Sequence, residues 1–387
     1  MKKTFYPNFV CFSLIFCTIS CYSPVQQHGD VIKFDLTKTY SEQEYVLENI
    51  AEVNYLPLET RDDFLVAGTF AYMDAEQIII KDQHYLRSQL FFFDRTTGTA
   101  LSTLNRKGRG GNEYIRIDAF SCDKSAKEIF ILDASQKTVL VYGFDHSFKR
   151  RFEVYKDCVE MIEYDNTSLL IYIEQDTISK PFLLISKENG QVMQTLDVTV
   201  GKRLNAMQAQ IGKMVTEARM IGVSASLVSS DDGVLISDWA CDTLYHFDFR
   251  GVLKPIAIRT PSAHEMKPCQ RLHITGDNGR FVFFNSTLLP EMMNSRLIDS
   301  EHWRYAYDRQ ERKIVTPRFM LADDPTGAVW HGNQWGNQYG AYMMCELKAE
   351  KLYAAYRSGK LEGRLNEIAA TIKEDDNPVL MTVKFHK

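Results

Sequence analysis

The sequence predicts an all-β fold: a six-bladed β-propeller of four-stranded antiparallel blades, carrying two short helical insertions. Three observations predict it. Short apolar runs, β-branched and aromatic, recur along the chain and end at Asp, Gly, Ser or Asn, the pattern of antiparallel strands and turns. The runs fall into units repeating roughly every 40–60 residues, about the length of one blade. A strand near each end of the chain, 49–58 and 379–385, can pair with the other and close a ring, removing the open edges a lone blade would expose.

The first twenty residues read as an address. Lys2 and Lys3 precede an apolar run at 9–19, too short to span a bilayer and typical of an export signal. Thr18-Ile19-Ser20-Cys21 matches a bacterial lipobox, with Thr18 where Leu is usual. The expectation is a signal peptide over 1–20, lipidation of Cys21 as the new N-terminus, a tether over 21–45 and a propeller over 46–387. No Asp follows Cys21, which suggests sorting to the outer membrane, where the lipid would be the anchor.

Composition bounds the rest. Hydrophobic residues at 45% and charged residues at 25% are globular values, and aromatics at 12% suit a β-rich core. Without Lys2 and Lys3 the 45 basic residues fall to 43 against 50 acidic ones, and no basic stripe interleaved with aromatics emerges. Nucleic acid is therefore not an expected partner. Of eight cysteines, Cys11 and Cys17 leave with the signal and Cys21 is acylated. Cys122, Cys158, Cys241, Cys269 and Cys345 remain, widely spaced, and read as isolated buried residues rather than a disulfide framework.

The units follow in order. In the first, Ile78-Ile79-Ile80-Lys81-Asp82 is answered by Leu90-Phe91-Phe92-Phe93-Asp94 and a Thr-Thr-Gly turn. A Gly-rich loop at 106–114 leads into the second, with strands at 119–122, 128–132, 138–142 and 150–154. A third, at 169–173 and 182–186, lacks the terminal Asp residues, and a fourth at 234–238 and 244–248 regains them. Residues 280–285 and 305–308 open a fifth, 328–331 and 342–347 a sixth. The Asp that ends these strands is expected to cap turn amides. Two stretches break the pattern. Residues 202–220 place Leu204, Met207, Ile211, Met214 and Val215 at helical spacing, and 358–374 does so with Leu361, Leu365, Ile368 and Ile372.

Several stretches together resemble the six-bladed propeller lipoproteins of Bacteroides-like bacteria, which are akin to NHL-repeat propellers. They are Asn54-Tyr55-Leu56-Pro57-Leu58-Glu59-Thr60, the loop from Lys107 to Tyr114, Ile131-Leu132-Asp133, and the stretch from Glu374 to Leu380. The family's loop usually reads Gly-Pro-Gly-Glu-Tyr. Here Gly110-Gly111-Asn112 replaces Gly-Pro-Gly, which predicts a looser loop. The resemblance implies the fold and an envelope location, and it carries almost no function.

Candidate chemistry is sparse. The cations of 106–111 lie on neither a P-loop nor a dinucleotide fingerprint, and Arg109 is kept as a minor anion-binding candidate. Residues 222–226 approach a nucleophile elbow but end in Ser and precede a strand. The nine His residues show no metal-ligand spacing, so metal ligands are unassigned and no cofactor is expected, with Ca²⁺ left open because propeller ligands would come from distant blades. The richest stretch is 329–342, VWHGNQWGNQYGAY. Trp330, His331, Asn333, Trp335 and Tyr339, with Gln334, Asn337 and Gln338, set flat aromatics beside amides, as sugar-binding surfaces do. Trp239 and His302-Trp303 are weaker candidates of the same kind. The expected role is a ligand-binding or interaction module of the outer membrane, taking a glycan, a peptide or an envelope protein. The alternative is a calcium-dependent hydrolase, lactonase or lyase of the six-bladed type, favoured if carboxylates converge on the central channel.

Overall fold

The computed structural model describes residue 1 and residues 31–386, apart from 83–87, 176, 202–207, 212–213, 218–225, 267–269, 289–291, 294–295, 298–300, 331–337 and 340. Residues 2–20 of the expected signal peptide, and Cys21, lie outside the described residues.

Three strands lead the chain: β1 (Ile32–Asp35), β2 (Glu42–Val46) and β3 (Ala51–Pro57). Blade 1 follows as β4 (Gly68–Met73), β5 (Gln77–Asp82), β6 (Leu90–Asp94) and β7 (Ala100–Leu104). Blade 2 is β8 (Ala119–Asp123), β9 (Glu128–Asp133), β10 (Thr138–Gly143) and β11 (Phe148–Glu153). Blade 3 is β12 (Cys158–Glu163), β13 (Ser168–Ile173), β14 (Phe182–Ser186) and β15 (Val192–Thr195). A separate hairpin, β16 (Gln208–Ile211) and β17 (Met214–Glu217), precedes blade 4, which is β18 (Leu227–Ser230), β19 (Gly233–Ile236), β20 (Thr243–Asp248) and β21 (Leu253–Thr260). Blade 5 begins with β22 (Gln270–Asp277) and β23 (Phe281–Leu288). After a small hairpin, β24 (Met292–Met293) and β25 (Arg296–Leu297), it is completed by β26 (His302–Asp308) and β27 (Lys313–Met320). Blade 6 holds β28 (Gln338–Tyr339), β29 (Tyr342–Leu347) and, after helices α1 (Ala349–Arg357) and α2 (Gly363–Ala369), the final strand β30 (Val379–Phe385).

The six sheets form the ring of a six-bladed propeller, with β4, β8, β12, β18, β22 and β28 innermost. Each middle strand faces two neighbours, because successive side chains leave opposite faces. Ile78 and Ile80 join the cluster shared with blade 6, and Ile79 joins the one shared with blade 2. Such apolar clusters fill every blade–blade interface, which is why the strands read as nearly continuous apolar runs.

Blade 6 closes the ring as expected: β3 pairs antiparallel with β30 from Ala51↔Phe385 to Pro57↔Val379. Asn377 latches the closure. Its Oδ1 accepts from Val66 N–H at 2.9 Å, and its Nδ2 donates to the Glu59 and Phe64 carbonyls at 2.7 and 2.8 Å. The strand-end Asp residues cap turns, as the sequence implied. Asp94 accepts from the Thr96 and Thr97 amides, and Asp133 from Gln136 and from Ile115 across the loop.

Four expectations are corrected. Residues 32–46 are not tether: β1 adds in parallel to β21 at the outer edge of blade 4, and β2 adds to β27 of blade 5. The N-terminal stretch thus straps two blade edges before it closes the third. The stretch 202–220 contains no helix among its described residues but the hairpin β16–β17, with Ile211 opposite Met214. The second helical insertion begins earlier than 358, because α1 occupies 349–357. The inner strand of blade 6 is β28, and 328–330 forms no strand.

Candidate functional site

The two ends of the ring differ. Turns from first to second strand and from third to fourth leave one end, and all span two to five residues. The longer connections between blade strands leave the other end, where the inner strands begin, the longest being 105–118, 196–226 with β16–β17, 289–301 with β24–β25, 321–337, and 348–378 with α1 and α2. Binding residues are drawn disproportionately from such loops on a rigid scaffold. This end is the mouth considered below.

At the mouth, Glu160 of β12 bridges blades 3 and 4. Its two carboxylate oxygens accept from Ser226 N–H at 2.8 and 2.7 Å, and one accepts from Leu227 N–H at 2.9 Å. Burial pushes its carboxyl up to about 7, against the pull of those N–H donors, with Glu174 adding to the rise. Opposite Glu160 in the sheet, Tyr172 donates to Asp238 Oδ2 at 2.6 Å, and Asp238 accepts Ala240 N–H at 2.8 Å. This fixes the loop that carries Trp239. The Arg271 guanidinium of β22 stacks on that indole, 4.1 Å from the ring centroid.

A Glu160→Gln change tests this titration. A carboxyl whose folded pKa lies above its unfolded value stabilises the fold fully below the ordinary 4.5 and loses that contribution as pH rises through about 7. Denaturant unfolding of the wild type should therefore show stability falling between pH 5 and pH 8, with a shallower fall in the variant. Equal slopes would contradict the assignment.

Blade 5 carries a polar face at the same end. The pairings Arg271↔Thr287↔His302 and His273↔Asn285↔Arg304 set these six side chains on one face of three adjacent strands. The opposite face holds Leu272, Ile274, Phe284 and Tyr305, which pack against blade 4. Away from the mouth, the polar face gives way to Phe283 and Ala306, packed with blade 6. His273 is 4% exposed, and burial with the nearby Arg271 charge lowers its pKa to about 4, leaving a neutral imidazole at neutral pH. Arg304 is exposed at the end of its row, and His302 Nδ1 meets Thr287 Oγ1 at 3.1 Å.

The residues singled out from sequence are dispersed. Trp239 and His302 reach the mouth cluster. Trp330 is 3% exposed and belongs to the core between blades 5 and 6, with its backbone N–H on Asp324 Oδ2, so it offers no stacking face to a ligand. Arg109 is exposed on the loop between blades 1 and 2, apart from this cluster. That loop is tight rather than loose: Glu113 accepts Gly110 N–H at 2.8 Å, and buried Tyr114 donates to the Leu104 carbonyl. A Cβ at Gly108 would sit 1.9 Å from the Glu113 carboxylate, which would have to swing off the Gly110 amide to make room. Tyr339 lies in β28, beside β22, while His331, Asn333 and Trp335 fall outside the described residues. Arg271, His273, Asn285 and Arg304 were not singled out. Their signal is Arg-x-His and Asn-x-Thr at strand period, which gains meaning only once register is known.

Carboxylates of the inner strands are engaged by the protein's own donors. Glu160 holds backbone amides, and Asp123 and Glu163 share Lys187 Nζ at 2.5 and 3.0 Å. Cys122, Cys158, Cys241 and Cys345 are free thiols. No helix among the described residues is long and apolar enough to cross a membrane.

Residues 31–384 match the model of a family described as a domain of unknown function, DUF4934, and the chain belongs to that family. Among solved structures it is similar to a protein of Bacteroides fragilis NCTC 9343 named as a candidate exported protein. Their TM-score is 0.65 at 17% identity, over 92% of this chain and 100% of that one. A member of the DUF4221 family from Bacteroides vulgatus ATCC 8482 aligns at TM-score 0.48 and 8% identity, over 87% of this chain and 97% of that one. No curated protein matches.

Proposed function

We propose that this propeller is a binding module of the bacterial envelope, exported by its N-terminal signal, anchored in the outer membrane through lipidated Cys21, and engaging a glycan at its mouth. The observation that carries the reading is the segregation of the longest connections between blade strands to the end where the inner strands begin, above a rigid ring whose other end has only tight turns. The family's structural neighbour named as exported supports the location. The aromatic and amide residues of 331–339, together with Trp303, are of the types that stack on sugar rings and bond their hydroxyls. Binding is favoured over calcium-dependent hydrolysis because Glu160, Asp123 and Glu163 are already held by amides and by Lys187.

The test is thermal unfolding of the mature chain against a glycan panel, with and without Ca²⁺. A ligand that binds only the folded state raises the midpoint by mass action, about 2.7 kcal/mol of added stability at a hundred times Kd. The expected result is a rise with one glycan class that does not depend on Ca²⁺. A large rise with Ca²⁺ alone would overturn the binding reading in favour of the hydrolase.

A further inference from the structure

We infer that β11, the open outer strand of blade 2, is a docking edge for an acidic extended segment of a partner protein, which adds to the blade as a further strand. This surface is separate from the mouth, and the inference does not rest on the glycan reading.

The molecule itself shows the mode of binding. β1 and β2 come from far along the chain and lengthen blades 4 and 5, pairing with β21 over four residues and with β27 over five. In the second case an acidic strand meets a basic edge: Glu44 lies opposite Arg318, and their side chains pair at 2.8 Å. The next residue, Tyr45, points the other way and packs on Phe281 and Phe319. An added strand of this kind alternates an acid that reads the edge with an apolar side chain that reads the blade.

Blades 1, 2 and 3 end in β7, β11 and β15, and no strand among the described residues pairs with their outer sides. β7 and β15 carry no charge, and β3 at the edge of blade 6 carries an acid, Glu52. β11 alone of these edges is basic, reading Phe-Lys-Arg-Arg-Phe-Glu over 148–153. Arg150 is spent inside the molecule, bidentate on Glu128. Lys149 and Arg151 are exposed, and neither forms an ion pair among the described residues. Lys149 stands near Asp145, whose carboxylate is engaged by Ser147. Arg151 Nη1 donates to the Gly111 carbonyl at 3.2 Å, which sets it beside the loop that carries exposed Arg109.

The backbone of β11 is also available. Past the bulge at Val141/Tyr142, Arg150–Glu153 keep regular register for four residues, as many as β1 uses. Val154 N–H donates to the Lys137 carbonyl, so the alternation of an antiparallel pair turns the Arg151 N–H and carbonyl outward. The β14–β15 turn narrows only the far end, where Gly190 packs against Glu153. Phe148, 37% exposed and edge-on to Tyr142, offers the apolar contact. Charge selects the occupant. Like charges would face each other if β11 met a second copy of itself, whereas an acidic segment is matched.

The experiment measures binding of the mature chain to a panel of short peptides that alternate Glu with Val or Tyr, and to the same peptides with Lys for Glu, at two salt concentrations. Hydrogen exchange locates the site. The double variant Lys149→Glu/Arg151→Glu changes two exposed side chains, so it should fold normally, which an unchanged unfolding midpoint would verify. Lys149→Ala is the milder second variant. The expected result is tighter binding of Glu peptides than of Lys peptides, weakened by salt, with exchange slowed at Arg151. The double variant should weaken Glu peptides about tenfold or more and strengthen Lys peptides, and Lys149→Ala should give a smaller loss. Equal binding by wild type and double variant, protection at β27 or β15 instead of β11, or no binding by any Glu peptide would overturn the inference. Binding to phosphatidylglycerol vesicles that the double variant abolishes, without peptide binding, would overturn it in favour of a lipid surface. Each of these outcomes leaves the glycan reading to its own test.

Discussion

Asn377→Ala is expected to destabilise the protein by about 3–5 kcal/mol. The side chain is 4% exposed and satisfies three backbone groups from the N-terminal side of the ring: Val66 N–H and the Glu59 and Phe64 carbonyls. Truncation leaves these groups without their partner where little water can replace it, at about 1–3 kcal/mol for each buried group. The loss falls at the ring closure, where the two ends of the chain meet and where no covalent connection would hold blade 6 to blade 1 if β3 and β30 parted. Asn377→Asp is the informative control. It keeps the acceptor for Val66 but loses both Nδ2 donors, so it should cost most of the same amount. Denaturant unfolding measures both, and a loss below about 1 kcal/mol for the alanine variant would show that the latch is dispensable.

Lys187→Met should be comparably damaging. Lys187 is 5% exposed in the last turn of blade 3, and its Nζ lies between Asp123 of blade 2 and Glu163 of blade 3. Removing one member of a buried ion cluster leaves the others charged and unpaired, at about 3–5 kcal/mol. Burial pushes Asp123 up, but hydrogen bonds from Lys187, Ala126 and Ser125 outweigh it and hold the carboxyl below its ordinary range. A depressed folded pKa stabilises the protein above the unfolded value and is lost as pH falls through the folded one. The penalty of Lys187→Met should therefore be full at pH 7 and shrink below about pH 4. A penalty independent of pH would assign the effect to packing against Phe130 instead.

The architecture was legible because propeller blades repeat local signals. The triplet Ile78-Ile79-Ile80 and the run Leu90–Asp94 announce strands buried on both faces, and Asp94 and Asp133 announce the turns they cap. Ring closure was legible too, since 49–58 and 379–385 are strand-like and lie at opposite ends. The strap was not. β1 and β2 pair in parallel with strands more than two hundred residues away, and parallel pairing needs no hairpin turn to betray it. The helix expected at 202–220 failed because helical spacing does not distinguish a helix from a hairpin over so short a stretch, and Ile211, Met214 and Val215 sit in two short paired strands. The candidate site was the least legible. Trp330 carries the same aromatic signal whether it stacks on a sugar or fills a core, and here it fills the core. Arg271, Asn285 and Arg304 are separated along the chain and become one surface only through the register of three strands.

The central claim is that this propeller binds its ligand at the end where the long connections gather, and hydroxyl-radical footprinting of the full mature chain tests it most directly. The probe is whichever oligosaccharide gives the largest thermal shift. The account predicts protection of His302 and Trp303 at the mouth, with the short turns at 95–99, 144–147 and 249–252 unchanged. Protection confined to those turns, or to the outer strands β11 and β15, would contradict it.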